Sequence, residues 1–299
     1  FQPAKGDAKR LAVPGSTRGF TAAQIDDFFT AVDWHPADHP VMPDPVGKGR
    51  QPAVRACASC HLPNGLGLPQ TATLAGLPAD YVEAQIKDFG LGLRSPALGG
   101  ANGDMGAIAR ALTPAEIKAA ATYFSKLPVK PWVKVVEGDM APATRVVAND
   151  LVVPEDPARM EPLGQRIVEV PDVPARALLR DSHVTYTAYV PKGSLMRGRN
   201  LVRTGGATVV GGKTTPGKST ECSKCHGVDL RGMPAKADGT PVAPSLVGRS
   251  PSYTFRQLYD IQRGTRNGAN IASTMRPVVA QLTEGDLIDI AAYLASRMP

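Results

Sequence analysis

Two segments of the chain share a helix-start signal followed by the same spacing of apolar residues. In the first, Thr113 and Glu116 form a capping box and Pro114 takes the first helical position. Apolar residues then follow at the i, i+3, i+4 and i+7 spacing of one helical face: Ile117, Ala120, Ala121 and Phe124. In the second, Thr283 and Asp286 begin the helix, and its apolar face carries Leu287, Ile290, Ala291 and Leu294. The pattern predicts two amphipathic helices of the same design.

Four further segments repeat apolar residues at helical spacing, and one segment alternates apolar and polar residues. Residues 21–32 and 194–202 predict an opening helix for each half of the chain, and residues 81–89 and 253–261 predict a second helix in each half. Residues 183–190 alternate between apolar and polar positions, which predicts a short strand. The predicted fold is therefore mainly α, with minor β structure.

The two halves of the chain repeat each other. Met105 and Met275 each stand seven residues before a leucine and eighteen before a tyrosine. Five upstream positions match with the same separation throughout: Tyr81, Gln85, Asp88, Gly92 and Arg94 correspond to Tyr253, Gln257, Asp260, Gly264 and Arg266. Such an internal repeat predicts a duplicated domain. We place the domains at residues 1–128 and 194–299.

Residues 129–193 have no counterpart in the repeat and are rich in valine and proline. The prolines rule out one continuous central strand. We predict an extended connector with a short β element that packs between or across the domains, with a flexible tether as the alternative. The opening segment, up to Phe20, is polar and glycine-rich, which predicts an extended arm.

Composition narrows the class of protein. The chain has 299 residues, enough for two or three domains, and its 30 Gly and 28 Pro predict a globular fold rich in loops. It contains no run of about 18 apolar residues, so we predict no transmembrane segment. The formal net charge of +7 favours acidic partners. No Lys/Arg cluster is interleaved with aromatic residues, which argues against nucleic acid as a partner.

All four cysteines lie in two Cys-x-x-Cys-His motifs, one formed by Cys57, Cys60 and His61 and the other by Cys222, Cys225 and His226. This is the attachment signature of c-type haem. The two thiols add across the vinyl groups of one porphyrin edge, and the histidine that follows reaches the iron. A thioredoxin-like dithiol would follow a strand, and a structural zinc site would need four ligands at short spacing; neither pattern is present. We predict two covalently bound haem c groups with His61 and His226 as proximal ligands to iron.

A low-spin electron-transfer haem takes a second axial ligand, commonly methionine. The chain has eight methionines, and the repeat selects Met105 and Met275 because both hold the same place after their motifs. The alternative for either residue is a methionine of the hydrophobic core. With both axial positions filled the iron has no open site for a substrate, so we predict no catalytic residue.

Other residues have two interpretations each. Arg94 and Arg266 share a repeat position and face either haem propionates or solvent. His35, His39 and His183 are predicted to be structural, although the first two are close enough to bind an adventitious metal. Trp34 and Trp132 pack either in the core or against a haem edge.

Both halves resemble class I cytochrome c domains, and the order of their motifs resembles the dihaem cytochrome c4 family. The resemblance covers about half of the first domain and most of the second, where it is stronger. It implies a periplasmic electron carrier with His/Met ligation in both domains. Two features depart from that family. The halves are joined by the long segment 129–193 instead of a short link. The proline whose carbonyl holds the proximal histidine matches Pro244 in the second half but Ala72 in the first, where Pro69 is a candidate substitute.

The predicted function is electron transfer between redox proteins: a dehydrogenase, an oxidase or another cytochrome. One alternative is a cytochrome subunit of a dehydrogenase complex. The other is a dihaem enzyme of the peroxidase or thiosulfate-oxidising type, which would need an open coordination position or a further cysteine ligand. C-type haem attachment implies an oxidising, exported compartment. The start at Phe1 fits a chain whose signal peptide has been removed, and equally an arbitrary start.

Overall fold

The structure is a computed structural model that describes residues 9–98, 103–156, 158–235, 237, 241–268 and 271–299. The helices in this part are α1 (Ala22–Asp26), α2 (Asp44–Gly47), α3 (Ala58–His61), α4 (Ala79–Gly90), α5 (Gly103–Ala111), α6 (Pro114–Ser125), α7 (Pro174–Leu178), α8 (Ser194–Thr204), α9 (Ser223–His226), α10 (Pro251–Arg263), α11 (Ile271–Val279) and α12 (Glu284–Ala295). The strands are β1 (Val133–Gly138), β2 (Met140–Pro142), β3 (Thr144–Val146), β4 (Val152–Pro154), β5 (Met160–Pro162), β6 (Val168–Pro171), β7 (Tyr186–Pro191), β8 (Thr208–Val210) and β9 (Lys213–Thr215).

The prediction of a mainly helical fold with minor β structure is confirmed. Both capping boxes are formed: the hydroxyl of Thr113 accepts from the N–H of Glu116, and that of Thr283 accepts from the N–H of Asp286. The helices that follow, α6 and α12, bury their apolar faces in the cores of the first and second halves.

The prediction of an opening helix over residues 21–32 is wrong beyond residue 26. The side chain of Asp27 accepts a hydrogen bond from the N–H of Phe29 at 2.8 Å, a local bond that competes with the helix. The carbonyl of Phe28 then accepts from Ala56, and that of Phe29 from Gly49, so this segment lies against the chain that leads to the first motif.

In the second half the predicted opening helix is present as α8, which lies against α12. Gly198 permits that contact, since a Cβ there would lie 1.9 Å from the carbonyl oxygen of Asp289. Any larger residue at this position would push the two helices apart.

The connector is folded and is part of the core. Its strands β1, β7 and β6 form a sheet in which β1 is parallel and β6 antiparallel to β7, and β2 pairs with β5 and β3 with β4. Trp132, Leu151 and Tyr186 from the connector are buried in the core of the first half. The structure therefore contradicts the alternative of a flexible tether.

The structure describes the opening arm from residue 9 onward, and residues 1–8 lie outside the described residues. Leu11 and Phe20 pair through their backbones. Val13, Ile25, Val32 and Trp34 form a small core of their own. Among the residues that the structure describes, no helix has both the length and the apolar run needed to cross a membrane.

Candidate haem sites

His61 lies at the end of the single-turn helix α3, and the backbone around it orients its imidazole. Its N–H donates to the carbonyl of Cys57 at 2.9 Å, so the motif forms one turn. Nδ1 of His61 donates to the carbonyl oxygen of Ala72 at 2.9 Å, which leaves Nε2 as the nitrogen that can bind a metal. Burial lowers the pKa of His61, so the imidazole is neutral, as metal ligation requires.

The second motif repeats this arrangement. The N–H of His226 donates to the carbonyl of Cys222 at 2.9 Å, and Nδ1 donates to the carbonyl oxygen of Pro244 at 2.8 Å. Burial lowers the pKa of His226 as well. Pro244 thus has the role that the resemblance assigned to it. In the first half that role belongs to Ala72 and not to the substitute Pro69, whose carbonyl accepts from Arg256 instead.

A cavity of about 1010 Å³ lies beside His61. This volume is at the upper end of the range of roughly 300–1,000 Å³ for ligand and cofactor pockets. Cys57, Cys60 and Met105 line it together with His61, so the structure brings the four predicted first-site residues to one cavity. Its remaining wall is mainly apolar and comes from all three parts of the chain, with Phe89 from α4, Leu151 from the connector and Tyr253 from the second half among its residues.

Cys57 and Cys222, the first cysteine of each motif, pack against the two hydrophobic cores, surroundings that suit a thioether. No disulfide joins any of the four cysteines within the described residues. Burial raises the pKa of the Cys57 thiol to about 12 and that of Cys222 to about 11, so neither is poised as a thiolate for zinc or for disulfide exchange. Within the described ranges, the group of side chains that could hold a metal ion involves none of the cysteines.

Met105 lies in α5 and Met275 in α11, the helices that precede the capped helices α6 and α12. Met275 is partly buried and packs against the same hydrophobic cluster as Cys222. The two methionines thus occupy equivalent places in the two halves, as the sequence spacing predicts. Their bond to iron remains a prediction.

Arg94 and Arg266 are not solvated surface residues: each reaches across to the other half, and Arg94 also donates to Oε1 of Gln85 in its own half at 2.9 Å. Arg94 donates to the hydroxyl of Tyr253 at 3.0 Å and to Oε1 of Gln257 at 2.7 Å. Arg266 makes the reciprocal contact: it donates to the hydroxyl of Tyr81 at 2.7 Å and to Oε1 of Gln85 at 2.9 Å. The backbones of the two arginines also pair. The repeat positions therefore form a two-fold contact that joins the halves.

Buried cations at this contact fit the acidic groups of haem. Nε of Arg266 and Nη2 of Arg249 are buried and have no hydrogen-bond partner in the part of the chain that the structure describes. A buried charge is costly without an opposite charge beside it. Asp88 and Asp260 act on Arg94 and Arg266, whereas the groups that act on Arg249 are Tyr253 and Tyr81. Burial also lowers the pKa of Arg94, and Arg266 beside it acts in the same direction. Each haem brings two propionates, so Arg94, Arg249 and Arg266 are the residues that would hold them.

The histidines and tryptophans outside the motifs have structural partners. Nε2 of His35 lies 2.9 Å from Asp181, His183 bonds to Asp38, and Nε2 of His39 lies 3.2 Å from Asp33. Trp34 donates to the carbonyl of Leu179 and Trp132 to that of Gly248, and both indoles are buried. The core interpretation therefore applies to both tryptophans.

Sequence reasoning missed the connector side chains at the first site. Arg180 lines the cavity, is 6% exposed, and lies with its guanidinium 4.1 Å from the centre of the Phe28 ring. Leu178 and Leu151 line the same cavity. These residues have no counterpart in the repeat and belong to no motif, so nothing in a single sequence marks them.

Comparison with known proteins agrees with this arrangement. The sequence model of the cytochrome c family matches twice, over residues 46–128 and 211–297. Cytochrome c-554(548) of Halomonas halodenitrificans is 36% identical over 76 residues, 25% of this chain and 83% of that one. Cytochrome c4 of Azotobacter vinelandii is 33% identical over 88 residues, 28% of this chain and 39% of that one. A Thiomonas intermedia protein named thiosulfate dehydrogenase electron acceptor is 26% identical over 248 residues, 82% of this chain and 80% of that one.

The chain belongs to the cytochrome c family. It is a two-domain, cytochrome c4-like member that carries two covalent haem c groups and acts in electron transfer.

Proposed function

We propose that the protein is a periplasmic electron carrier, and not an enzyme, in which His61 with Met105 and His226 with Met275 ligate the two irons. The observation that carries this proposal is the repeated fixation of a neutral, buried imidazole by a backbone carbonyl, at Ala72 and at Pro244. A methionine stands at the same repeat position in each half. A site with both axial ligands supplied by the protein favours electron exchange over bond chemistry.

Residues of this chain orient the ligands and balance the charge at each site. The carbonyls of Ala72 and Pro244 fix the ring orientation of the two histidines and raise the basicity of the ligating nitrogen. The wall of the first cavity is mainly apolar. Arg94, Arg249 and Arg266 offset the propionate charge. The haem, when bound, supplies the reversible one-electron change between ferric and ferrous iron.

We further propose that the electron donor is a dehydrogenase that oxidises thiosulfate. The Thiomonas intermedia relative aligns over 248 residues, whereas the matches to cytochromes c-554(548) and c4 cover 76 and 88 residues. Of these three alignments, only the one over 248 residues is long enough to extend through the connector. The connector is part of the first core and of the first cavity wall, so similarity along it supports a shared role rather than a shared haem domain alone.

The test is reduction of the ferric protein by a purified thiosulfate dehydrogenase with thiosulfate, followed at the haem absorption band. We expect full reduction of both haems that depends on the dehydrogenase. Thiosulfate without the dehydrogenase should leave the protein ferric. Rapid thiosulfate oxidation by the protein alone would instead favour the dihaem enzyme. If the haems stay ferric both with and without the dehydrogenase, thiosulfate dehydrogenase is excluded as the donor.

A further inference from the structure

The three histidines outside the haem motifs fall into two groups. Nε2 of His39 lies 3.2 Å from Oδ1 of Asp33, in the same segment of the chain. His35 instead stacks on His183 of the connector, with the ring centres 3.6 Å apart and the ring planes 5° from parallel. Proximity in the sequence suggested a metal site at His35 and His39, whereas the fold gives these two residues different partners and brings His35 to His183.

Two carboxylates flank the stacked histidines. Nε2 of His35 lies 2.9 Å from Oδ1 of Asp181, and Nε2 of His183 bonds to Oδ2 of Asp38. The ligand atoms of His35, Asp181 and His183 all lie within 4.8 Å of one another. Ligand atoms around a tetrahedral zinc ion stand about 3.4 Å apart. Small side-chain movements would therefore bring these three atoms to one ion.

Asp181 is oriented in the way that protein metal ligands usually are. Its side chain is fully buried, and Oδ2 accepts a hydrogen bond from Nε of Arg176 at 2.6 Å. Oδ1, the oxygen beside His35, also accepts from the backbone N–H of His183 at 3.0 Å. Burial acts to raise the pKa of Asp181, but these hydrogen bonds hold it below its ordinary value, so the carboxylate is ionised. A partner behind the ligand fixes its direction and strengthens metal binding.

His183 can make the one movement that coordination requires. The lone pair of an imidazole nitrogen lies in the ring plane, so two parallel rings do not point at the same ion until one of them turns. The side chain of His183 is 43% exposed and is free to turn. That of His35 is 5% exposed and is held in place. The group thus combines a fixed pair of ligands, His35 and Asp181, with a third ligand that closes on them.

The donor atoms favour zinc over calcium or magnesium. Asp38 and Asp181 carry two negative charges, Arg176 bonds to Asp181, and Lys130 acts on Asp38. The carboxylates are therefore balanced by nearby cations, and an ion would be held by its bonds to the donor atoms rather than by net charge. Two imidazoles with carboxylate oxygen suit zinc, whereas calcium and magnesium take oxygen ligands.

The group lies where the opening segment meets the connector beside the first haem site. Nε1 of Trp34 donates to the carbonyl of Leu179 at 2.8 Å, next to His35 and Asp181 in the two segments. Both segments line the first cavity, through residues such as Ile25 and Arg180. A cation bound here would join the two segments that form this part of the cavity wall.

We propose that His35, Asp181 and His183 bind one zinc ion, with Asp38 as the fourth ligand, and that this ion fastens the opening segment to the connector beside the first haem. The site is separate from both irons and has a structural role. The proposal is independent of the route of the electrons and of the identity of the donor.

The test is the zinc content of the holoprotein, first stripped with a chelator and then dialysed against buffered zinc at micromolar free concentration. Mass spectrometry of the metals gives zinc and iron in the same sample, and the two haem irons count the chains. The variants are H183Q and D38N, which alter partly exposed ligands, and H39Q, the matched control, which removes the neighbouring histidine that bonds to Asp33. An unchanged haem absorption spectrum shows that each variant is folded.

We expect one zinc for every two irons in the wild type and in H39Q. Loss of a partner behind a metal ligand already weakens binding about 10–100-fold, so H183Q, which loses a ligand itself, should weaken it by about a hundredfold or more and D38N by about tenfold. Zinc should raise the thermal midpoint of the wild type and of H39Q but not that of H183Q.

Three results would overturn the proposal. A wild type without zinc at this concentration would exclude the site. Equal zinc in the wild type, H183Q and H39Q would indicate an adventitious ion only. Loss of zinc in H39Q with retention in H183Q would place the ion at another group of residues. The reduction of the haems by a dehydrogenase is not measured here, so this proposal and the proposed function fail separately.

Discussion

Arg180 provides a measurable link between the connector and the first haem. Its guanidinium is buried, lines the cavity with Cys60, and has no hydrogen-bond partner for Nη1 or Nη2 within the described residues. Burial lowers its pKa, yet an arginine stays protonated in a protein. A fixed positive charge beside a haem disfavours the ferric state, so Arg180 is expected to raise the reduction potential of the first haem.

The size of the effect follows from Coulomb's law. At an effective dielectric constant of about 20, two unit charges interact by about 2 kcal/mol when roughly 8 Å separates them. For a one-electron couple this corresponds to a shift of ~90 mV. We therefore predict that R180M lowers one of the two reduction potentials by roughly 50–100 mV and leaves the other almost unchanged. Methionine keeps an apolar chain of similar length over the ring of Phe28, so the variant should fold with unchanged or greater stability.

The assay is a spectroelectrochemical titration of wild type, R180M and R50M. Arg50 is the matched control, since its side chain is 53% exposed and pairs with Glu116 on the surface, where water screens its charge. R50M should move either potential by less than about 10 mV. The reasoning is refuted if R180M leaves both potentials in place, raises either of them, or shifts them no more than R50M does.

Three further outcomes are expected. Met105→Ala and Met275→Ala should each remove about half of the near-infrared charge-transfer band that sulfur ligation gives; an intact band in either variant would show that methionine to be structural. The oxidised and reduced forms should interconvert in two one-electron steps, because the surroundings of the two haems differ in charge and burial; a single Nernst curve for both haems would contradict this. Hydrogen bonds from Arg50 and Thr113 lower the pKa of Glu116 to about 2, so this carboxylate stabilises the fold above its unfolded pKa near 4.5. That stabilisation should disappear as the pH falls from about 4.5 towards 2, and the denaturation midpoint of E116Q should lack this part of the pH dependence; an identical profile for the two proteins would count against it.

The elements that depend on local sequence were predictable. Capping boxes and a 3.6-residue period define α6 and α12, and the repeat locates α4, α10 and the two methionines without any long-range information. The motif turns around His61 and His226 were also predictable, since a Cys-x-x-Cys-His sequence must form a single turn to serve one cofactor.

The parts that depend on long-range contacts were not predictable. Arg94 and Arg266 were expected to face haem propionates or solvent, and their contact across the halves was missed because a repeat gives equivalent positions and not the contact between them. The role of Ala72 could not be read from its side chain, since it is the carbonyl that accepts from His61. The break after residue 26 depends on the Asp27 side chain, which accepts from the N–H of Phe29 and so competes with the helix that the apolar period favours.

The most direct test of the account is the mass of the denatured protein with a pyridine haemochrome count on the same sample. We predict the chain mass plus two haem groups, with the colour retained through acid-acetone extraction and two haems counted per chain. A mass equal to the bare chain of 31.4 kDa, or to the chain with one haem, would contradict a two-haem electron carrier.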